Sequence, residues 1–157
     1  MTAQQIFGLQ VVLSFVVYGL VAKWYVSPRL ATLPLGIALP PLLILHAFRH
    51  LGMVFLVPTV VGPALPASFA VPAAYGDLVA GLLAVAAIAT LRGGSSIAIP
   101  LTWLFNVVGL LDLINAFYQG LSNDVQLGSA YYIPTFIVPA LVITHLMIFR
   151  MLLRHPR

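Results

Sequence analysis

The sequence predicts an all-α fold: a polytopic integral membrane bundle of five transmembrane helices, N-terminus outside and C-terminus cytoplasmic. Three observations carry the prediction. Of the 157 residues, 62% are hydrophobic and 6% charged, the apolar residues fall into five stretches long enough to cross a bilayer, and the basic residues cluster at alternate ends of those stretches. Soluble domains carry about 25% charged residues, so a mean hydropathy of +1.10 is a bilayer composition. Each span takes about 20 residues, and residues 1–157 are therefore expected to form a single transmembrane domain.

The first stretch, about 4–25, ends on Lys23, Trp24 and Tyr25, an amphipathic trio suited to the membrane–water interface. It lacks a basic leader and a small-residue cleavage site, and so reads as a span and not as a signal peptide. The linker after it holds Ser27, Pro28, Arg29 and Pro34, and the residue before a proline is biased out of helix. The second span, about 39–61, opens on Pro40 and Pro41, which suit a first turn whose N–H groups are unpaired anyway. Pro58 is expected to kink or end it. A charge-free loop with Pro63 and Pro66 leads to the third span, about 72–91, whose Ala and Gly favour close helix approach. Arg92 to Ser96 make a turn. The fourth span covers about 97–121, residues 122–129 are a polar connection, and the fifth covers about 130–153 with Pro134 and Pro139 inside it.

Lys23 and Arg29 follow span one, Arg92 follows span three, and Arg150, Arg154 and Arg157 close span five. Six of the seven basic residues then share one side, which the positive-inside rule makes cytoplasmic. The other side offers only Asp124. Compact loops and this bias point to a multi-pass protein of a cell membrane, with a bacterial inner membrane as the expected setting. The basic residues sit at scattered span ends, so the net charge of +4 points to the lipid bilayer as partner and to no nucleic acid. Lacking cysteine, the chain can form no disulfide and no thiolate site.

The polar residues inside the spans define the candidate site. His46, Arg49 and His50 stand at i, i+3 and i+4 and share one face of an α-helix. A charge at that depth costs a few kcal/mol on insertion scales, so it faces a partner or a wet cavity and not lipid. At about 1.5 Å per residue, His46, Asn106 and His145 all fall about 22 Å below the outer ends of their helices. Arg49, His50, Asp77, Asp112 and Asn115 fall about 9–18 Å below, in the outer half, with Ser14 and Tyr18 at comparable depth. Arg49 must pair with one of the two acids. Asp112 is nearer in depth, which leaves Asp77 at the outer boundary. Asp112, Asn115 and Gln119 form a stripe expected to line a vestibule.

Four chemistries are compatible with these residues. Recognition or passage of a small polar or anionic molecule, or of protons, at an outward-facing cavity uses Arg49 as anchor, the histidines as titratable neighbours and Asp112 as counter-ion. Haem b ligated by His46 and His145, with Arg49 at a propionate, would make the protein an electron carrier. An intramembrane isomerase or hydrolase would use a His–Asp base with Asn106 or Asn115 as donor, although Ser14 and Thr144 are lone hydroxyls that commonly bond back to their own helix. A native metal site on His46 and His50 is opposed by the charge of Arg49 on the same face, and none is expected. A purely structural clasp between Arg49 and Asp112 is the plain alternative. No inverted repeat is visible, so a binding protein, a sensor or a homo-oligomer is expected before a monomeric carrier.

Overall fold

The computed structural model describes residues 1–122 and 125–154; Asp124 and Arg157, used in the orientation argument, lie outside the described residues. No strand occurs among the described residues. Five helical segments are long and apolar enough to cross a membrane: α1 (Ala3–Leu30), α2 (Leu35–Leu56), α3 (Ala67–Arg92), α4 (Ala98–Ser122) and α5 (Gly128–Arg154).

Proline explains where these segments depart from the expected bounds. α1 begins with a capping box, in which Thr2 Oγ1 accepts from the Gln5 N–H and Gln5 Oε1 accepts from the Thr2 N–H. It then runs into the expected linker as far as Leu30, because residues 22–26 form a π turn. There the Ser27 N–H bonds Ala22 O, five residues back, one residue before Pro28. α5 repeats the device: residues 133–137 form a π turn and the Val138 N–H bonds Ile133 O, one residue before Pro139. Widening the register just ahead of a proline lets the helix continue past a residue that has no N–H to give.

α2 starts a turn earlier than expected, on the extended Pro34. It changes after Ala47 from α-helix to a 3-10 helix over Phe48–Leu56. Val57 is extended ahead of Pro58 (φ −107°, ψ 95°), which ends the segment. α3 starts at Ala67 and carries Pro72 inside it, so everything on α3 lies more than a turn deeper than the expected start at residue 72 implied. Gly94, at φ +63°, closes the turn into α4.

Two apolar clusters lie toward the ends of the bundle. Leu30, Leu91, Ala98 and Leu152 join Leu39, Leu43, Phe105 and Ile148 at the end where α1, α3 and α5 finish. Phe55, Val61, Phe69, Ala73 and Ala130 form the other, at the opposite end. Buried polar side chains lie between them. α3 packs against α2 and α4, α5 packs against α2 and α4, and α1 leans mainly on α5.

Candidate functional site

The 3-10 stretch of α2 sets the site. At three residues per turn, i and i+3 eclipse, and the buried residues of this stretch are Arg49, Gly52 and Phe55, in line with His46 just before it. His50 is thereby turned outward and exposed, its Nδ1 donating to the Ala47 carbonyl at 2.9 Å. The expectation that His46, Arg49 and His50 share a face assumed α-helical spacing. Only the first two do.

Arg49 is 3% exposed and engages two neighbouring helices through three donors. Its Nε donates to Asp77 Oδ1 (2.7 Å) on α3, Nη2 to Asp112 Oδ2 (2.5 Å) on α4, and Nη1 to the Gly109 carbonyl (2.9 Å) on α4. Asp77 is therefore not left at the outer boundary. Both aspartates lie ten residues from the helix ends that face away from the basic side, or about 15 Å along each axis, and so they meet at one level.

Three glycines make the cluster possible, one per helix. A Cβ on Gly52 of α2 would strike the Asp77 carboxylate, and one on Gly76 of α3 would strike that of Asp112. One on Gly109 of α4 would lie 2.9 Å from Arg49 Nη1 and 3.1 Å from His145 Nε2. Each helix of the trio thus gives up a side chain to seat the charge of another.

His46, Asn106 and His145 are wholly buried and adjoin Arg49. Asn106 Nδ2 donates to the His145 carbonyl (3.1 Å), which leaves its Oδ1 to accept from His145 Nδ1 at 2.6 Å. The Thr144 hydroxyl donates to the Ala140 and Leu141 carbonyls, so its oxygen accepts from His46 Nε2 at 2.9 Å. These bonds place a proton on His46 Nε2 and on His145 Nδ1. His46 Nδ1 and His145 Nε2 remain as buried nitrogens with no partner among the described residues. Phe105 packs on both rings, with centroids at 5.0 and 5.3 Å.

The two imidazoles touch, with centroids 4.1 Å apart. Axial ligands of one haem lie on opposite faces of the macrocycle, and rings in mutual contact leave no slot for it. His46 Nε2 is also committed to Thr144. The haem reading does not fit these residues. Among the described residues no three His or Asp side chains converge as metal ligands. Asn115 is exposed and accepts from Gln119 Nε2 at 3.0 Å, away from the cluster, so the expected vestibule stripe divides: Asp112 turns inward and the other two pair outside.

Beside the charges lies a cavity of about 570 Å³ between α1, α2 and α5. Its wall is apolar, with Leu42, Phe48, Phe136 and Leu141 prominent, and Arg49, Asp77, Thr144 and Tyr18 supply its polar points. Both π turns border it, through Ala22 and Val26 on α1 and Ile133, Phe136 and Ile137 on α5. Sequence reasoning missed Gly76 and the role of Thr144. A glycine immediately before an aspartate inside a span-length apolar stretch was the available signal for Gly76. Ser14 is not among the lining residues.

A family model described as "Domain of unknown function (DUF8737)" matches residues 6–153. No curated protein and no solved structure matches the chain.

Proposed function

The chain belongs to that family, whose description assigns no activity, and from the chain's own residues we propose an integral membrane protein that binds a lipid-soluble molecule with a hydroxyl-bearing head. The observation that carries this is the apolar cavity that ends on Arg49, Asp77 and Thr144. Its volume is that of a drug-sized ligand site, and a few polar groups in an apolar wall are the usual means of orienting one. Asp77 gives Oδ1 to Arg49, while its Oδ2 faces Gly52, and both residues line the cavity. That oxygen is an acceptor suited to a ligand O–H. A small free anion is disfavoured, because it would have to displace two carboxylates from Arg49.

The membrane setting is part of the proposal. Large apolar side chains such as Val12, Val16, Leu82, Leu111 and Leu146 are more than half exposed on the outer faces of the helices, an arrangement suited to lipid contact. Lys23, Arg150 and Arg154 come together beside one groove, consistent with N-out, C-in insertion in a cell membrane, bacterial inner membrane included.

The test is a titration of detergent-purified protein with a decyl-tailed hydroquinone and with its dimethyl ether. The hydroquinone raises Tm in a concentration-dependent way, as any ligand of the native state must, and the ether, lacking the donor, does so weakly. Equal shifts from both, or none from either, would overturn the reading.

A second reading, a proton site, is favoured by one guanidinium facing two carboxyls beside two unpartnered imidazole nitrogens. Infrared difference spectra on acidification should then carry a carboxylic C=O band that D77N or D112N removes.

A further inference from the structure

We infer a second binding site, for an anionic phospholipid, in the groove between the ends of α1 and α5. The inference rests on the membrane setting proposed above and not on the Arg49 cavity. The groove has a volume of about 690 Å³ and is bordered by Lys23 and Ser27 on α1 and by Arg150 and Arg154 on α5. Further along, its wall becomes apolar through Ile143, Leu146 and Met147.

Charge is the argument. Arg150 and Arg154 are one helical turn apart on one face, where like charges repel, and Lys23 faces the same groove. No carboxylate among the described residues answers them: Asp77 and Asp112 are held by Arg49 in the middle of the bundle. Three exposed cations around one groove, continuous with an apolar wall, match a phosphodiester headgroup above an acyl chain. Basic pockets between helices on the cytoplasmic side are a known means of holding such lipids. The π turn at residues 22–26 widens α1 where Lys23 and Ala22 border the groove.

A phosphate group free in solution has the same headgroup chemistry, so the test separates the two. Purified protein in dodecyl maltoside is titrated with dioleoyl phosphatidylglycerol, dioleoyl phosphatidylcholine or inorganic phosphate, and bound species are counted by native mass spectrometry. Phosphatidylglycerol should bind more tightly than phosphatidylcholine by roughly tenfold, and the variant K23Q/R150Q/R154Q should lose the preference while K23R keeps it. L146W, which narrows the apolar wall of this groove alone and leaves every cation in place, should weaken phosphatidylglycerol and leave phosphate unaffected. Equal binding of the two lipids, a preference surviving in the triple variant, or competition by millimolar phosphate would each overturn the lipid site. Loss of this site with hydroquinone binding intact would leave the Arg49 reading standing. Should the triple variant fail to fold, R150Q and R154Q singly, both at exposed positions, must each lower the preference for the proposal to hold.

Discussion

Arg49 and Gly109 meet in the middle of the bundle, the guanidinium Nη1 donating at 2.9 Å to a backbone carbonyl of α4, at a point where a Cβ on residue 109 would crowd both the donor and the His145 ring at 2.9 Å. The charge of α2 is thus held against a helix backbone as well as between two acids. Removing or crowding any one of these contacts gives a distinct outcome.

Replacing Arg49 with Met leaves Asp77 and Asp112 facing each other without a cation. The expected cost is about 3–5 kcal/mol, read as a lowered Tm in detergent. D77N and D112N should each cost less, because the guanidinium keeps one carboxylate and the Gly109 oxygen. R49M/D77N/D112N should recover part of the loss of R49M; a triple variant worse than R49M would refute the ion triad as a coupled unit.

Gly52→Ala, Gly76→Ala and Gly109→Ala should each destabilise by about 1–3 kcal/mol through overpacking. Gly8→Ala and Gly19→Ala, on α1 with nothing within 4 Å of the added carbon, should be neutral or slightly stabilising, since Ala is the better helix former. Thermal unfolding of the five variants side by side decides this by sign.

Asn106→Leu removes both the acceptor and the donor that bracket His145. A cost of about 1–3 kcal/mol is expected from the stranded imidazole N–H. His50→Ala should stay within about 0.5 kcal/mol, as for other exposed positions. A large loss in H50A would restore the α-helical face that the 3-10 stretch removes.

Ala140 lines the cavity and carries no side-chain contact to Arg49, Asp77 or Asp112, so A140F should abolish the hydroquinone-dependent rise in Tm while leaving the ligand-free stability within about 1 kcal/mol of wild type. Binding unchanged in A140F would place the ligand elsewhere.

The five long apolar helices were legible in the sequence, because about 20 apolar residues announce themselves without tertiary information. His46, Asn106 and His145 could be grouped by counting depth alone. Counting failed at Asp77, because Pro72 reads as a helix start and α3 in fact carries it inside, having begun at Ala67. It failed at His50 for another reason: nothing local in FRHLGMVFL announces three residues per turn in place of 3.6, and the register is evident only from which residues are buried. Gly76 escaped notice as a site residue because its contribution is space for the side chain of Asp112, a property of a pair of helices. The haem reading failed on distance, which no count of depth contains.

α1 has the least buried apolar window of the five segments, 11% against 33–39% in the others, and it leans mainly on α5. Yet it supplies Tyr18, Val21, Ala22 and Val26 to the cavity wall. One wall of the site is therefore supplied by the least buried of the five helices. In the proposed membrane setting its far side is the acyl-chain layer, and the exposed Phe48, Leu51 and Phe136 at the cavity's border would already face that layer. A hydrophobic guest would arrive sideways, head turned toward Arg49, without its tail ever becoming hydrated.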